Sequence, residues 1–531
     1  MDCLSQMSLR EKIGQLMLIG FEGTTVTPRV ANIIKEDKIG GVILFPRNIQ
    51  TPEQVLRLNI ELQSLARNSN HPFPLFVTTD QENGIVRRLK AGVTQFPGNM
   101  LLGAVDDREA TRKVSRAAAA ELKALGLNMN LAPVLDVNNN SQNPVIGVRS
   151  FGERTEDVAE QGVAFIQGHH DAGVMTTVKH FPGHGDTALD SHSDLPVITH
   201  SMERLEEVEL PPFVEAINAG TDSVMMSHIY FPALDRQKDL PASLSKNVTT
   251  GLLREKLGFA GVIMTDCLEM NAVVKMTGTV EGALEALKAG SDLLMISHTY
   301  ELQIEAMNRI EQAVKEGEVD EELIDRAVER VMKLKKKQLS WNELPEDAGI
   351  PSFVDGEEHQ KLAQKQYERG VTLVKNESVL PLKVKKDSKI LVVTIKGKMH
   401  SPVEGKRQTS SFLAGAVSRR HSNVLEKEIN LSPDENEIDE VIAVAEQVDV
   451  IIFGSDYAYT NETQALLVRK LLDKPVPLIV VAVGNPYDLA SFRGVSAYLA
   501  TYEYSRAALQ AAADMIFGKV EAHGKLPVTI P

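Results

Sequence analysis

GVMTTVKHFPGHGDTALDSH, residues 173–192, passes from an apolar, β-prone segment into a loop dense with ionisable groups. A helix-like stretch at 159–172 precedes it, so Lys179 and His180 stand at the carboxyl end of an expected strand. Beyond them Pro182, Gly183 and Gly185 exclude a regular helix and predict a shaped loop. In α/β barrels, reactive side chains stand at that end of the strands.

Working outward, apolar runs recur at 13–21, 39–45, 74–79, 129–137, 174–180, 223–229, 262–266 and 293–297. Helical patterns at 52–66, 109–125, 156–172, 202–219 and 280–288 fall between most of them. Strand and helix therefore alternate, which predicts an α/β fold of the (β/α)8 TIM-barrel type, with a large open α/β sheet as the alternative. Polar residues gather at the run ends: Asp80 and Glu82, Asp136, Lys179 and His180, His228, Asp266. That distribution favours the barrel, whose active face is built from strand ends.

After a final amphipathic helix at 324–337, the stretch SWNELPEDAGIPSF at 340–353 lacks apolar periodicity and reads as a linker. Apolar runs at 390–394, 448–454 and 478–484 then describe a second α/β unit, an αβα sandwich. The expected organisation is a catalytic barrel at 1–338, a linker at 339–358 and the sandwich at 359–531. No Gly-rich phosphate loop follows any strand of the second unit, so a nucleotide is not expected there.

At 531 residues the chain is too long for one core. Its net charge of −15 argues against nucleic acid or an anionic membrane as partner and favours a small-molecule substrate. The two cysteines, Cys3 and Cys267, give no disulfide framework. The first residues lack a secretory pattern, and Ser8-Leu9-Arg10-Glu11 reads as a helix-opening capping box; both point to a cytoplasmic protein. No run approaches the roughly 18 apolar residues that span a bilayer. Oligomeric state is left open between monomer and homodimer.

Six of the thirteen histidines lie between His169 and His200, which raises a metal site for consideration. His180 and His184 are separated by Pro182 and Gly183 and cannot share a helix face, so neither a metal nor another cofactor is expected. Asp190-Ser191-His192 suggests instead a carboxylate that fixes the tautomer of an imidazole and raises its basicity, making His192 an acid/base. Asp266, ending the run VIMTD before a helix-like segment, suits a nucleophile; its alternative is a helix N-cap. A strand-end carboxylate and a histidine acid/base, with Arg, Lys and Asp hydrogen-bonders around them, form the apparatus of a retaining glycosidase.

KHFPGHGDTALDSH resembles the long signature of the glycoside hydrolase family 3 β-N-acetylhexosaminidases. Further family marks are DQENGIVRR from Asp80, LAPVLDV from Leu131, RSFG from Arg149, VMMSHI from Val224 and PASLS from Pro241. VIMTD ending at Asp266, TLVKNESVLPL from Thr372 and the terminal GKLPVTIP complete the set. The resemblance implies a barrel followed by an αβα sandwich and removal of terminal β-linked N-acetylglucosamine from small saccharides with retention. It makes Asp266 the nucleophile and Asp190–His192 the acid/base dyad, and it assigns Asp80, Arg88, Arg149, Lys179 and His180 to sugar contacts; for His228 a sugar contact and a satisfied strand-end histidine are expected equally. One departure stands beside Asp80, where Asn83-Gly84-Ile85 replaces the more usual Gly-Gly-Arg. Asp186 and His184 are expected to organise the loop. Within the family the alternatives are a phosphorylase and a β-glucosidase; outside enzymes, the alternative is a sugar-binding sensor on an inactive scaffold. Muropeptide fragments and chitin oligomers both remain open as substrates.

Overall fold

The computed structural model of the chain describes residues 4–187, 195–344, 349–397 and 412–531. Among these, eight parallel strands form one sheet: β1 (Met17–Ile19), β2 (Gly41–Leu44), β3 (Phe76–Thr79), β4 (Met129–Asn130), β5 (Met175–Phe181), β6 (Ser223–Met226), β7 (Val262–Thr265) and β8 (Leu294–Ile296). β1 pairs with both β2 and β8, and a parallel bridge between Met264 and Leu293 joins β7 to β8, closing the barrel. The open-sheet alternative is thereby excluded. Every residue of these strands is buried, as expected where helices cover the outside of a parallel barrel and side chains fill its inside.

Local sequence chemistry sets the intervening helices. Pro52 at the first turn and the Thr51 side chain on the Gln54 N–H open Pro52–Asn68, and Asp107 caps Arg108–Ala124. Ser8 forms the expected capping box with Glu11, which begins helix Leu9–Gln15; the apolar run at 13–21 is thus half helix and half strand. The run at 202–219 is broken into Met202–Arg204, the wider turn Leu205–Glu209 and Pro211–Asn218, with two prolines opening the last piece.

The second sheet has six strands in the order β11-β10-β12-β13-β14-β9. They are β9 (Thr372–Asn376), β10 (Ile390–Ile395), β11 (Val424–Ile429), β12 (Val450–Ser455), β13 (Leu478–Ala482) and β14 (Ala497–Ala500), all parallel except β9, which runs antiparallel on β14. One apolar cluster crosses between the domains, uniting Phe96, Met100, Leu101 and Phe151 of the barrel with Tyr367, Tyr487, Tyr502 and Leu509. Helix Glu357–Gly370 belongs to this seam: a Cβ at Gly370 would lie 2.4 Å from the Leu101 side chain. No helix among the described residues is long and apolar enough to cross a membrane.

Candidate active site

The carboxyl ends of the barrel strands surround a cavity of about 500 Å³. Asp80, Arg88, Arg149, Lys179, His180 and Asp266 all line it. His228 does not, and Asp190 and His192 lie outside the described residues.

Asp80, just beyond β3, takes Lys179 Nζ at 2.9 Å on one oxygen and Arg88 Nη2 at 3.3 Å on the other. Lys179 also reaches Glu82 at 2.6 Å. Glu82 in turn holds Arg149 by a two-pronged bridge, Nε at 2.9 Å and Nη2 at 2.8 Å. This fork fixes the guanidinium plane. Arg149 Nη1 donates to the Val145 carbonyl at 3.1 Å, so most of its donors are committed within the protein. Burial alone would raise the Asp80 carboxyl, but Lys179 and Arg88 hold it well below the usual carboxylate range. Burial likewise opposes Glu82, and Arg149 and Lys179 override it, holding Glu82 down at about 2. Burial disfavours the Lys179 and Arg149 cations too, yet their carboxylate neighbours raise both. The cluster is ionised throughout and interlocked, with the exposed edge of Asp80, at 14% against 2% for Lys179 and Glu82, turned to the cavity. An acceptor so placed can take a pair of sugar hydroxyl protons.

His180 is oriented from behind by Asp136. The ring Nδ1 stands 2.8 Å from one Asp136 oxygen, and the other oxygen accepts the N–H groups of His180 at 3.2 Å and His184 at 2.7 Å. Nδ1 facing a carboxylate carries the proton, leaving Nε2 on the side of Arg149, 3.5 Å away. Asp136 also pins the following loop, whose Gly185 lies against the Val137 carbonyl so closely that a Cβ would come within 1.7 Å. His184 sits in this loop with Nδ1 2.9 Å from Thr187, and burial followed by the charge of His180 lowers it to about 4. Asp186 meets His200 at 2.7 Å. Both contacts fit the expected organising role.

Asp266 follows β7 directly, and one of its oxygens accepts the Cys267 N–H at 2.7 Å. The next helix is Asn271–Val274, whose N-cap position is Met270, so the N-cap reading of Asp266 does not hold. His228 sits behind this turn. Its Nε2 is 3.0 Å from the Cys267 carbonyl and its Nδ1 2.7 Å from Ser243. With a carbonyl opposite, Nε2 bears the proton and Nδ1 accepts from the hydroxyl. Of the two readings of His228 the geometry favours the satisfied strand-end histidine over the sugar contact: at 1% exposure it supports the backbone that carries Asp266.

Glu82 and Asp136 are the residues that the site assignments from sequence missed. Both stood among the strand-end polar residues, which was the available signal; their partners are remote in sequence. Across the cavity, Cys267, Glu269 and His298 bring ligand-type atoms within 4.8 Å of one another, the arrangement among the described residues that could hold a cation. Its donors are already engaged. Glu269 accepts the N–H groups of His298 at 2.6 Å and Thr299 at 3.0 Å, Arg47 lies 3.2 Å from His298 Nδ1, and burial pushes the Cys267 thiol up to about 12.

Comparison with known proteins places this geometry. "Beta-hexosaminidase A" of Pseudoalteromonas piscicida is 31% identical over 96% of this chain and 92% of its own length. A "Beta-hexosaminidase" of Xylella fastidiosa is 36% identical over 53% of this chain and 83% of its own length. Among solved structures, a glycoside hydrolase family 3 β-N-acetylglucosaminidase from Paenibacillus sp. str. FPU-7 superposes with a TM-score of 0.93 at 41% identity, covering 99% of each chain. Residues 8–334 match the glycosyl hydrolase family 3 N terminal domain and residues 371–531 its C-terminal domain, and the chain belongs to glycosyl hydrolase family 3.

Proposed function

We propose that this chain is a retaining β-N-acetylglucosaminidase that hydrolyses terminal β-linked N-acetylglucosamine from small saccharides such as muropeptide fragments or chitin oligomers. The observation that carries the reading is a strand-end carboxylate, Asp266, on the wall of the same cavity as the ionised Asp80–Lys179–Glu82–Arg149 cluster. The activities named for the Pseudoalteromonas and Paenibacillus proteins support it.

In this mechanism Asp80 and Arg88 hold the sugar hydroxyls, and Lys179, Arg149 and His180 complete the cradle. Asp266 attacks the anomeric carbon while His192, set by Asp190, protonates the departing oxygen. The covalent glycosyl ester then forms, and the now neutral imidazole takes a proton from water as water displaces Asp266. Two inversions give a retained β product. Transfer to phosphate is the weaker reading, because cations facing the cavity already have carboxylate partners: Arg47 with Glu22, Arg88 with Asp80, and Arg149 with Glu82.

The test combines trapping, stereochemistry and leaving groups. A slow 5-fluoro N-acetylglucosaminide is expected to label Asp266, located by mass spectrometry of the peptide 262–270, and early NMR spectra are expected to show the β anomer first. His192→Ala is expected to lose most on saccharides and least on aryl glycosides, whose leaving groups need little protonation. The α anomer first, or a label on another carboxylate, overturns the mechanism. Equal losses of His192→Ala on both substrate types remove His192 from the acid/base role.

A further inference from the structure

The segment 80–89, which supplies Asp80, Glu82 and Arg88 to the cavity, is a small hairpin whose far end rests on the second domain. Glu82 N–H donates to the Val86 carbonyl at 3.0 Å, Asn83 bridges Val86, and the Gln81 side-chain oxygen takes the N–H groups of Arg88 at 2.9 Å and Leu89 at 3.1 Å. At the tip the Val86 N–H returns to the Asn83 carbonyl at 3.3 Å around Gly84 and Ile85, and Asn83 and Gly84 have φ of 70° and 60°, in the left-handed region. The first two positions of the departure from Gly-Gly-Arg thus hold positive φ, a conformation that glycine adopts freely and asparagine tolerates. Ile85, 7% exposed, turns away from the cavity and joins the apolar cluster that contains Tyr502 and Leu509 of the second domain.

Glu503, between β14 and helix Arg506–Ile516, seals this contact. It is 1% exposed and receives three donors: Arg87 Nη2 at 3.1 Å, the Gly98 N–H at 3.1 Å and the Tyr367 hydroxyl at 3.2 Å. Gly98 in turn backs the turn so tightly that a Cβ on Gly84 would stand 2.7 Å from the Gly98 Cα. Arg87 is the neighbour of Arg88 in the chain, and Asp80 and Arg88 bridge the hairpin's open end at 3.3 Å. A displacement at Arg87 is therefore passed directly to both sugar-facing groups.

We propose that Glu503 is a positioning residue: from the second domain it fixes the hairpin 80–88 through Arg87 and Gly98, and so sets Asp80 and Arg88 at the spacing that sugar hydroxyls need. This rests on the glycosidase reading of the cavity and gives the second domain a task in substrate recognition.

The experiment measures KM and kcat on an aryl β-N-acetylglucosaminide, the dissociation constant of N-acetylglucosamine by calorimetry, and the melting temperature. Glu503→Ala is expected to raise KM and the dissociation constant together by about tenfold, with kcat changed less than about threefold and the pH profile unmoved, because binding and not proton transfer is disturbed. Glu503→Gln keeps one acceptor oxygen, enough for the Gly98 N–H but not also for Tyr367 and Arg87, and is expected to fall between Ala and wild type. If Ala strands the Arg87 charge and the fold is lost, the double variant Arg87→Met/Glu503→Met replaces the buried pair with apolar volume. It is expected to recover the melting temperature without recovering KM. A folded single or double variant with wild-type KM and dissociation constant overturns the proposal, as does a loss confined to kcat. Wild-type protein that binds N-acetylglucosamine without turning over the glycoside counts against the functional reading, while the dissociation constants still decide the role of Glu503.

Discussion

Both sheets of this molecule are largely parallel, and both place carboxylates at or beyond the carboxyl ends of strands, yet the two groups live in opposite electrostatic conditions. In the barrel, Asp80 and Glu82 are surrounded by Lys179, Arg88 and Arg149, are held low, and stand on an open cavity. In the sandwich, Asp456 follows β12 and Asp488 lies beyond β13, both buried. Asp488 accepts the Tyr459 N–H at 2.9 Å, and no lysine or arginine among the described residues pairs with it. Burial, with a contribution from Asp456, pushes it up to about 7. The nearby tyrosines meet the barrel, Tyr487 accepting from Asn138 at 2.8 Å and Tyr459 standing 3.5 Å from Ser141. Topology supplies the same strand-end positions twice. Counter-charges and open space distinguish the set that lines a cavity from the set buried beside the tyrosines that meet the barrel.

The sharpest way to break this contrast is to remove the proposed nucleophile. Asp266→Asn is expected to lower kcat by about 10⁴-fold or more, with the melting temperature little changed, because the side chain ends a strand and its loss leaves the barrel packing intact. Steady-state kinetics and a thermal scan check it; more than about a tenth of wild-type activity would take Asp266 out of the covalent role.

A smaller effect is expected from Glu82→Gln, which weakens the fork to Arg149 and the bridge to Lys179 while keeping the volume. Leaving buried cations underneutralised costs on the order of 3–5 kcal/mol. Activity is expected to fall about 100-fold as the cradle loosens, and the melting temperature by several degrees. Linkage gives a second readout. The folded-state pKa of Glu82, about 2, lies below its ordinary 4.5, so its ionised form contributes stability above pH 4.5 that is lost as pH falls toward 2. Glu82→Gln is expected to flatten that part of the acid limb in urea titrations. An unchanged acid limb would show that the cluster does not stabilise the barrel.

How much of this was legible in the sequence follows from the range of each interaction. The eight barrel strands were readable because each is buried on both faces and lies within a largely apolar run. In the second domain the central β10, β12 and β13 were readable for the same reason. The edge strand β11 was not, because the charged residues Glu426, Lys427 and Glu428 break the run, and neither the short β14 nor the antiparallel edge β9 registered as a strand. Positions of Asp80, Lys179 and Asp266 could be inferred from strand ends alone. The roles of Glu82, Asp136 and Glu503 could not, because they depend on partners 67, 44 and 416 residues away. His228 kept two readings for a related reason: a strand-end histidine looks the same in sequence whether its ring faces a substrate or, as here, a hydroxyl and a carbonyl.

The smallest predicted effect concerns Asp488, and it separates the two sheets most cleanly. With a folded-state pKa of about 7 against an ordinary 3.8, this carboxyl keeps in the folded protein a proton that the unfolded chain has released. Between those values the folded state binds more protons, so stability falls as pH rises through the window, and the full penalty of a buried charge is present above about pH 7. Asp488→Asn removes the charge with almost no change in shape and lets the side chain still accept from Tyr459. The variant is expected to melt a few degrees above wild type at pH 8, to match it near pH 4, and to keep its kcat within about twofold throughout. Melting curves that run parallel from pH 4 to 8 would show that Asp488 is ionised and accommodated in the fold. A tenfold loss of kcat would instead mean that the carboxyl end of the second sheet takes part in the chemistry, and the distinction drawn between the two sheets would fall.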